Sequence, residues 1–217
     1  MKVICVAGNR GSGKTTAATI FQESLPNSMV VDLGVQMFGG VAYFADEFEK
    51  IFGIKVDLEN LKPTYGKTVY SPQDAQKTFY SLNMAHVEGE AMKLIAKAKF
   101  NSYDYCVLLF HGIGKMNIWQ NAEYRILLDM ELDERKEEIL RQRQLREHGH
   151  YKEGIFAKSR ASLDEYVRNL ENVDFIVTNN YDEQFRKDLV QICDKIKNNE
   201  SDLVIEIQLP KQTPINV

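Results

Sequence analysis

The sequence predicts an α/β domain with three layers, in which helices cover both faces of a five-stranded parallel sheet. Five short apolar runs are typical of strands that are buried on both faces. The segments between them carry apolar residues at helical spacing, and this alternation favours parallel strands joined by right-handed crossovers. The 217 residues contain no repeat or low-complexity linker, so we expect one domain over residues 1–217.

The first two strands flank a short amphipathic helix. KVICVA at residues 2–7 predicts the first strand, and SMVVDLG predicts a second strand that ends near Asp32. Pro26 and Asn27, just before the second strand, end the helix. The face of this helix that we expect to be buried contains Ala17, Ile20, Phe21 and Leu25.

The region from about 41 to 100 predicts a mostly helical insertion before the third strand. VAYFADEFEKIF at 41–52 places its large apolar side chains on one helical face. Ser71 is a good N-cap, and Pro72 suits the first position of a second helix. The helical period then continues from Ala75 to Ala98.

Three further strands and two helices complete the predicted domain. The strands are YDYCVLLF at 103–110, YRILLDM at 124–130 and VDFIVTNN at 173–180. The helices are a charged segment at 133–149 and an amphipathic one at 182–196. Residues 200–217 form a C-terminal extension that alternates like an edge strand over 203–209, and it would pair with the sheet or with a second subunit of a homodimer.

Composition and charge exclude several classes of function. A net charge of −4 argues against a general nucleic-acid binder. No run approaches the ~20 apolar residues that span a membrane, and the first apolar run is too short for a secretory signal. Three scattered cysteines, Cys5, Cys106 and Cys193, are typical of buried thiols and indicate a reducing, cytoplasmic setting.

The turn after the first strand is the motif that carries chemistry. Residues 8–15, GNRGSGKT, match the phosphate-loop pattern G-x-x-x-x-G-K-[ST] between a strand and a helix. Backbone N–H groups of such a loop point at phosphate oxygens, the lysine reaches the β- and γ-phosphates, and the hydroxyl holds Mg²⁺. The residues expected to contact ATP are Gly8, Asn9, Arg10, Gly11, Ser12, Gly13, Lys14, Thr15 and Thr16.

Several classes of protein share this loop. The Asn-Lys-x-Asp motif of GTPases is absent from the sequence. A motor ATPase would carry an acidic pair after an apolar strand, whereas the best candidate here, CVLLF at 106–110, is followed by His111. Kinases and nucleotide-binding regulatory proteins remain.

The order of the parts resembles the small-molecule P-loop kinases, in particular the uridine kinase, dephospho-coenzyme A kinase and nucleoside monophosphate kinase group. The resemblance covers roughly residues 1–197, and only the phosphate loop is a specific motif. It implies that Asp32 accepts the proton of the acceptor hydroxyl or helps to place Mg²⁺ through water. Thr15 and Asp32 would then be the residues around the metal.

The resemblance also implies a lid at about 141–160. RQRQLREHG is similar to the lid segment R-x-R-D-x-x-x-R-G of uridine kinases, so Arg141, Arg143 and Arg146 would stabilise charge on the transferring group. The alternative is a solvated helix with an ordinary Glu137–Arg141 pair. Arg160, which precedes Tyr166, is a further lid candidate.

Other candidate positions follow from the same resemblance. Asn179 and Asn180 would lie in the loop that approaches the adenine, although an Asn-Asn pair is also ordinary turn chemistry. Side chains of the helical region are candidates to line the acceptor pocket, namely Tyr43, Tyr65, Lys67 and Tyr70.

Two departures from the family pattern concern the acceptor. Uridine kinases tend to have an acidic residue and a glycine after the third strand, where this chain has His111 and Gly112, and the lid has Gln144 in place of aspartate. The sequence thus predicts a kinase that moves the γ-phosphoryl group of ATP to a nucleoside-like or coenzyme-like small molecule. The alternatives are a nucleoside monophosphate kinase and a nucleotide-binding regulatory protein with little phosphotransfer.

Overall fold

The structure is a computed structural model of the chain. It describes residues 1–9, 11–34, 49, 54–57, 62–65, 72–131, 133–148 and 170–199. For 54–57, 62–65 and 72–80, and for positions 144, 147 and 148, the description covers the backbone only. Three predicted segments lie outside these ranges. They are the C-terminal extension, the lid beyond position 148, and the helix at 41–52 apart from position 49.

The main sheet has five parallel strands, which are β1 Lys2–Gly8, β2 Ser28–Asp32, β5 Tyr105–Leu109, β6 Tyr124–Asp129 and β7 Phe175–Thr178. Their order across the sheet is β2-β5-β1-β6-β7. β1 is central, and its residues pair on both sides; Val6 is opposite Leu109 in β5 and Ile126 in β6. The five predicted strands and their parallel arrangement are therefore confirmed.

Five α-helices surround the sheet in the described part of the chain. They are α1 Lys14–Ser24, α2 Pro72–Phe100, α3 Asn117–Gln120, α4 Glu134–His148 and α5 Glu183–Lys197. A short 3₁₀ turn, Ile113–Lys115, precedes α3. α2 begins at Pro72 as predicted, and α5 has Asp182 as its N-cap, whose carboxylate accepts a hydrogen bond from the N–H of Phe185 at 3.2 Å.

Two apolar cores, one on each face of the sheet, make the three layers. On one face, α1 and α5 pack on alternate strand residues such as Val6, Leu109 and Leu128. On the other, α2, α3 and the 3₁₀ turn pack on the residues between these, such as Cys5 and Leu108. β1 is buried on both faces from Ile4 onward, which explains why its sequence is a continuous apolar run rather than an alternating one.

The region predicted to be mostly helical also contains a β-hairpin. β3 (Ile54–Asp57) and β4 (Lys62–Tyr65) pair antiparallel, with Val56 opposite Pro63. This hairpin was not among the predicted elements, because the apolar spacing of the neighbouring segments is helical. The local sequence IKVD alternates apolar and polar residues with a period of two, which is the signal for a strand.

Two packing expectations can be checked directly. Cys5, Cys106 and Cys193 are free and buried, as predicted. Trp119 is fully buried, and its indole N–H donates to the carbonyl of Glu171 at 3.1 Å.

Within the described ranges, none of the helices combines the length and hydropathy needed to cross a bilayer.

Candidate active site

The candidate site lies at the carboxyl edge of the sheet, where three predicted features meet. β1 ends at Gly8 and leads into the phosphate loop, β2 ends at Asp32, and β5 is followed by His111. β5 lies between β1 and β2, and Asp32 is in register with Leu109. In open parallel sheets, ligands bind at this edge, where the strand order reverses.

The phosphate loop has the conformation that its glycines permit. Gly11 and Gly13 have φ angles of 86° and 97°, which side chains on L-residues rarely adopt. A Cβ on Gly13 would also lie 2.7 Å from the side-chain amide nitrogen of Asn179. Gly13 is the N-cap of α1 and provides no side-chain cap, so the positive end of the helix faces the loop.

Lys14 lies across the loop. Its Nζ donates hydrogen bonds to the backbone carbonyls of Gly8 and Asn9, each at 2.8 Å. The loop is closed on the same side by the N–H of Ser12, which donates to the Asn9 carbonyl at 3.1 Å. The ammonium is thus held at the loop, where it would exchange carbonyl oxygens for phosphate oxygens.

The hydroxyl of Ser12 is a buried polar group within the phosphate loop. Ser12 is fully buried, and no described residue makes a hydrogen bond to its Oγ. A buried hydroxyl without a partner costs about 1–3 kcal/mol. A phosphate oxygen in the loop would accept a hydrogen bond from it, so this group fits the predicted triphosphate.

The remaining loop residues have the following positions. Thr15 is exposed in the first turn of α1, and its carbonyl accepts from the Thr19 hydroxyl at 3.3 Å, whereas Thr16 is half-buried. Arg10 lies outside the described residues. Among the residues that the structure describes, no group of three His, Cys, Asp or Glu side chains could hold a metal.

Asp32 and His111 lie at the ends of neighbouring strands. Asp32 is exposed, and its Oδ1 accepts from the N–H of Gly34 at 2.8 Å. His111 is half-buried against Phe110, with ring centroids 4.2 Å apart. Burial, followed by the charge of Lys14, lowers the pKa of His111 to about 4, and the charge of Asp32 acts in the opposite direction. The imidazole is therefore neutral at pH 7.

The loop after β7 contacts the phosphate loop through residues that the sequence did not single out. The Tyr181 hydroxyl donates to the carbonyl of Gly11 at 2.7 Å. Asn179 is buried beside Gly13, and its Oδ1 accepts from the N–H of Tyr181 at 2.8 Å. Asn180 is exposed, and its Oδ1 accepts from Nζ of the buried Lys136 at 3.2 Å. The approach of Asn179 and Asn180 to the adenine stays a prediction, and Tyr181 and Lys136 are residues that the sequence analysis did not include.

The arginine-bearing helix α4 is anchored on the phosphate loop. Leu140 is buried, and its Cδ1 would lie 2.9 Å from a Cβ on Gly11. The next residue, Arg141, makes a bidentate pair with Glu138 at 2.6 and 2.8 Å. Arg143 and Arg146 are exposed. The structure thus places the helix beside the loop, and the lid role of its arginines stays a prediction.

Several candidate positions lie outside the described residues. These are Arg160 and Tyr166 of the lid, and Tyr43, Lys67 and Tyr70 of the acceptor region, while Tyr65 is described only as backbone in β4. Their roles also stay predictions.

Comparisons with known proteins place the fold. No protein-family model and no curated protein matches the sequence. Among solved structures, the chain is similar to TT1252 from Thermus thermophilus, at 17% identity and a TM-score of 0.59, over 91% of this chain and 97% of that one. It is also similar to dephospho-CoA kinase from Campylobacter jejuni, at 17% identity and a TM-score of 0.54, over 91% of this chain and 98% of that one.

A third similar structure is shikimate kinase from Acinetobacter baumannii in complex with shikimate, at 13% identity and a TM-score of 0.51, over 92% and 95% of the two chains. At such identities the likeness shows the fold alone. The predicted three-layer α/β fold with a five-stranded parallel sheet is therefore confirmed.

Proposed function

We propose that this protein is an ATP- and Mg²⁺-dependent kinase that phosphorylates a small molecule. The observation that carries the proposal is the phosphate loop, which contains the Lys14 ammonium, the buried Ser12 hydroxyl and the uncapped end of α1. The fold supports it, because the similar structures include a dephospho-CoA kinase and a shikimate kinase.

Each residue of the site has a role in binding or orientation. The loop N–H groups and Lys14 would bind the triphosphate, and Thr15 with Asp32 would hold Mg²⁺ directly or through water. When bound, Mg²⁺ would neutralise part of the charge of the triphosphate. Two side chains contact the loop at Gly11: the Tyr181 hydroxyl donates a hydrogen bond to its carbonyl, and Leu140 packs against it.

The transfer step needs a base and a positive environment. The acceptor oxygen forms a bond to the γ-phosphorus, the bond from that phosphorus to the β–γ bridging oxygen breaks, and ADP leaves. The proton of the acceptor hydroxyl passes to the carboxylate of Asp32, which the N–H of Gly34 orients. Arg141, Arg143 and Arg146 would contact the transferring group after the lid closes, so Arg141 must exchange Glu138 for phosphate.

We infer a nucleoside-like or coenzyme-like acceptor, and a nucleoside monophosphate is the second candidate within the class. The alternative from another class of function is a nucleotide-binding regulatory protein with little phosphotransfer, and His111 is the residue that favours it. This residue stands where an acid would complete the site, and its neutral state means that it brings no charge. The buried free thiols support a reducing, cytoplasmic setting.

The test is ADP release from Mg-ATP with a panel of acceptors. The panel contains nucleosides, nucleoside monophosphates, dephospho-coenzyme A, shikimate and a sample without acceptor. We expect one class of acceptor to raise ADP release at least tenfold above the sample without acceptor. ATP binding without any acceptor-dependent turnover would favour the regulatory protein.

A further inference from the structure

Tyr181 has a backbone conformation that is unusual for its residue type. Its φ angle is 57°, which lies in the left-handed region. A bulky residue persists in this region only where the surrounding structure holds it there, and such residues concentrate at functional sites. The other non-glycine residues with positive φ in the described chain have short polar side chains; they are Asn27, Ser102, Asn172 and Asn199. Tyr181 is the exception, and a contact of its side chain accounts for it.

This contact connects Tyr181 to the phosphate loop. Its hydroxyl donates to the carbonyl of Gly11 at 2.7 Å. The peptide group between Gly11 and Ser12 is trans, so its N–H points away from its carbonyl. That N–H donates to the carbonyl of Asn9 at 3.1 Å, and the same carbonyl accepts from Nζ of Lys14 at 2.8 Å. Three hydrogen bonds therefore link the Tyr181 hydroxyl to the Lys14 ammonium.

The link passes through the most adaptable part of the loop. Gly11 has a φ angle of 86° and, as a glycine, has a wide choice of backbone conformations. A hydrogen bond to its carbonyl restricts the rotation of the Gly11–Ser12 peptide, and hydrogen bonds that share a peptide group strengthen one another. A loop that spends more of its time in the binding conformation binds its ligand more tightly.

The segment that carries Tyr181 is itself anchored on both sides. The N–H of Tyr181 donates to Oδ1 of the buried Asn179 at 2.8 Å. Oδ1 of Asn180 accepts from Nζ of Lys136 in α4 at 3.2 Å, and Asp182 is the N-cap of α5. The hydroxyl is thus presented to the phosphate loop from a supported position.

We propose that Tyr181 is a positioning residue for nucleotide binding. Its hydroxyl holds the Gly11–Ser12 peptide, and through it Lys14, in the arrangement that binds the triphosphate. The inference rests on the proposed binding of ATP at this loop and adds a residue to the same site. Glycine would adopt the φ angle of Tyr181 more readily than tyrosine does, so the turn alone does not explain the side chain.

The experiment compares the full wild-type chain with three variants. Tyr181→Phe removes only the hydroxyl, whereas Tyr181→Gly removes the whole side chain and suits the left-handed backbone. If one of them misfolds, the other decides, because they make opposite demands on the turn. Tyr105→Phe is the matched control, since Tyr105 is also half-buried but starts β5 at the opposite edge of the sheet.

Three measurements are made on each protein. Calorimetry gives the Kd of Mg-ATP and of inorganic tripolyphosphate, which has the phosphates without the nucleoside. ADP release gives KM and kcat for ATP, and thermal unfolding gives the melting temperature.

We expect both Tyr181 variants to bind Mg-ATP about three- to tenfold more weakly, the range that the loss of one hydrogen bond provides. Tripolyphosphate should lose affinity by the same factor, because the hydroxyl acts on the phosphate loop. The KM for ATP should rise likewise, while kcat at saturating ATP changes by less than about twofold, since the bound triphosphate restores the loop conformation. Tyr105→Phe should bind both ligands as wild type does. A purely structural role would lower the melting temperature without this separation of KM from kcat.

Wild-type affinity for ATP in either folded Tyr181 variant overturns the inference. So does a loss that is confined to ATP and absent for tripolyphosphate, because the side chain would then contact the nucleoside. The kinase proposal fails separately. If phosphate binding depends on Tyr181 and no acceptor raises ADP release, the positioning role stands and the catalytic function does not.

Discussion

Lys14 shows at the scale of one residue how the phosphate loop is prepared for an anion. Its ammonium is held 2.8 Å from two loop carbonyls, so little reorganisation is needed when phosphate oxygens arrive. We expect Lys14→Ala to weaken ATP binding or turnover at least a hundredfold, measured by calorimetry and ADP release. Lys99→Ala removes the same charge from the exposed end of α2 and should behave as wild type. Unchanged ATP affinity in Lys14→Ala would remove the loop from the mechanism.

Asp32 tests the chemical step apart from nucleotide binding. The side chain lies at the end of β2 and accepts from Gly34, and asparagine retains an oxygen for that contact. Loss of the carboxylate should lower kcat by a factor of about 10² to 10⁴, the usual contribution of a general base. The KM for ATP should change less than threefold. An Asp32→Asn protein with wild-type kcat would show that the base is another group.

His111 gives the site a defined response to pH. Burial first, and then the Lys14 charge, lower its pKa to about 4 in the folded protein, against an unfolded value near 6.5. Between these values the unfolded chain binds the extra proton, so stability is complete above pH 6.5 and decreases as the pH falls towards 4. The loss is at most about 3 kcal/mol.

The measurement for His111 is urea unfolding at intervals from pH 7 to pH 4. His111→Gln lacks the titrating group, so its stability should fall less steeply than that of wild type over this window. Parallel curves for the two proteins would mean that the imidazole is not buried as described.

At the scale of elements, the features that could be predicted are those determined by residues close together in the sequence. The phosphate loop, the end of β2 at Asp32 and the start of α2 at Pro72 follow from motifs and caps that lie close together in the chain. Tyr181 was missed because its partner Gly11 is 170 residues away, and no local pattern reports such a contact.

Gly89 leads to a prediction about the stability of α2. Gly89 lies inside this 29-residue helix, and a Cβ there would have nothing within 4 Å. Gly89→Ala should therefore raise the free energy of unfolding by about 0.5–1 kcal/mol, since alanine restricts the unfolded chain and favours the helix. Gly8→Ala is the contrasting variant, because its Cβ would lie 2.8 Å from the carbonyl oxygen of Leu128 and should destabilise the protein. Denaturant unfolding measures both, and a destabilised Gly89→Ala protein would contradict the open position.

At the scale of the whole molecule, the three cysteines report on both faces of the sheet. Cys5 and Cys106 belong to the core beneath α2, and Cys193 belongs to the core beneath α1 and α5. Burial raises the pKa of each thiol to about 12, so each is protonated and shielded in the native state. The two cores share the strands of one sheet, and we expect them to unfold together.

Thiol labelling across a urea titration tests this single cooperative unit. The native protein should react with an aromatic disulfide reagent at less than a hundredth of the rate of the unfolded chain. All three thiols should then become reactive at the same denaturant midpoint, which should coincide with the midpoint from circular dichroism. Variants that retain one cysteine each, with serine at the other two positions, assign the signals. Labelling of Cys193 at a lower urea concentration than Cys5 and Cys106 would show that the α1–α5 layer opens independently and that the chain is not one cooperative domain.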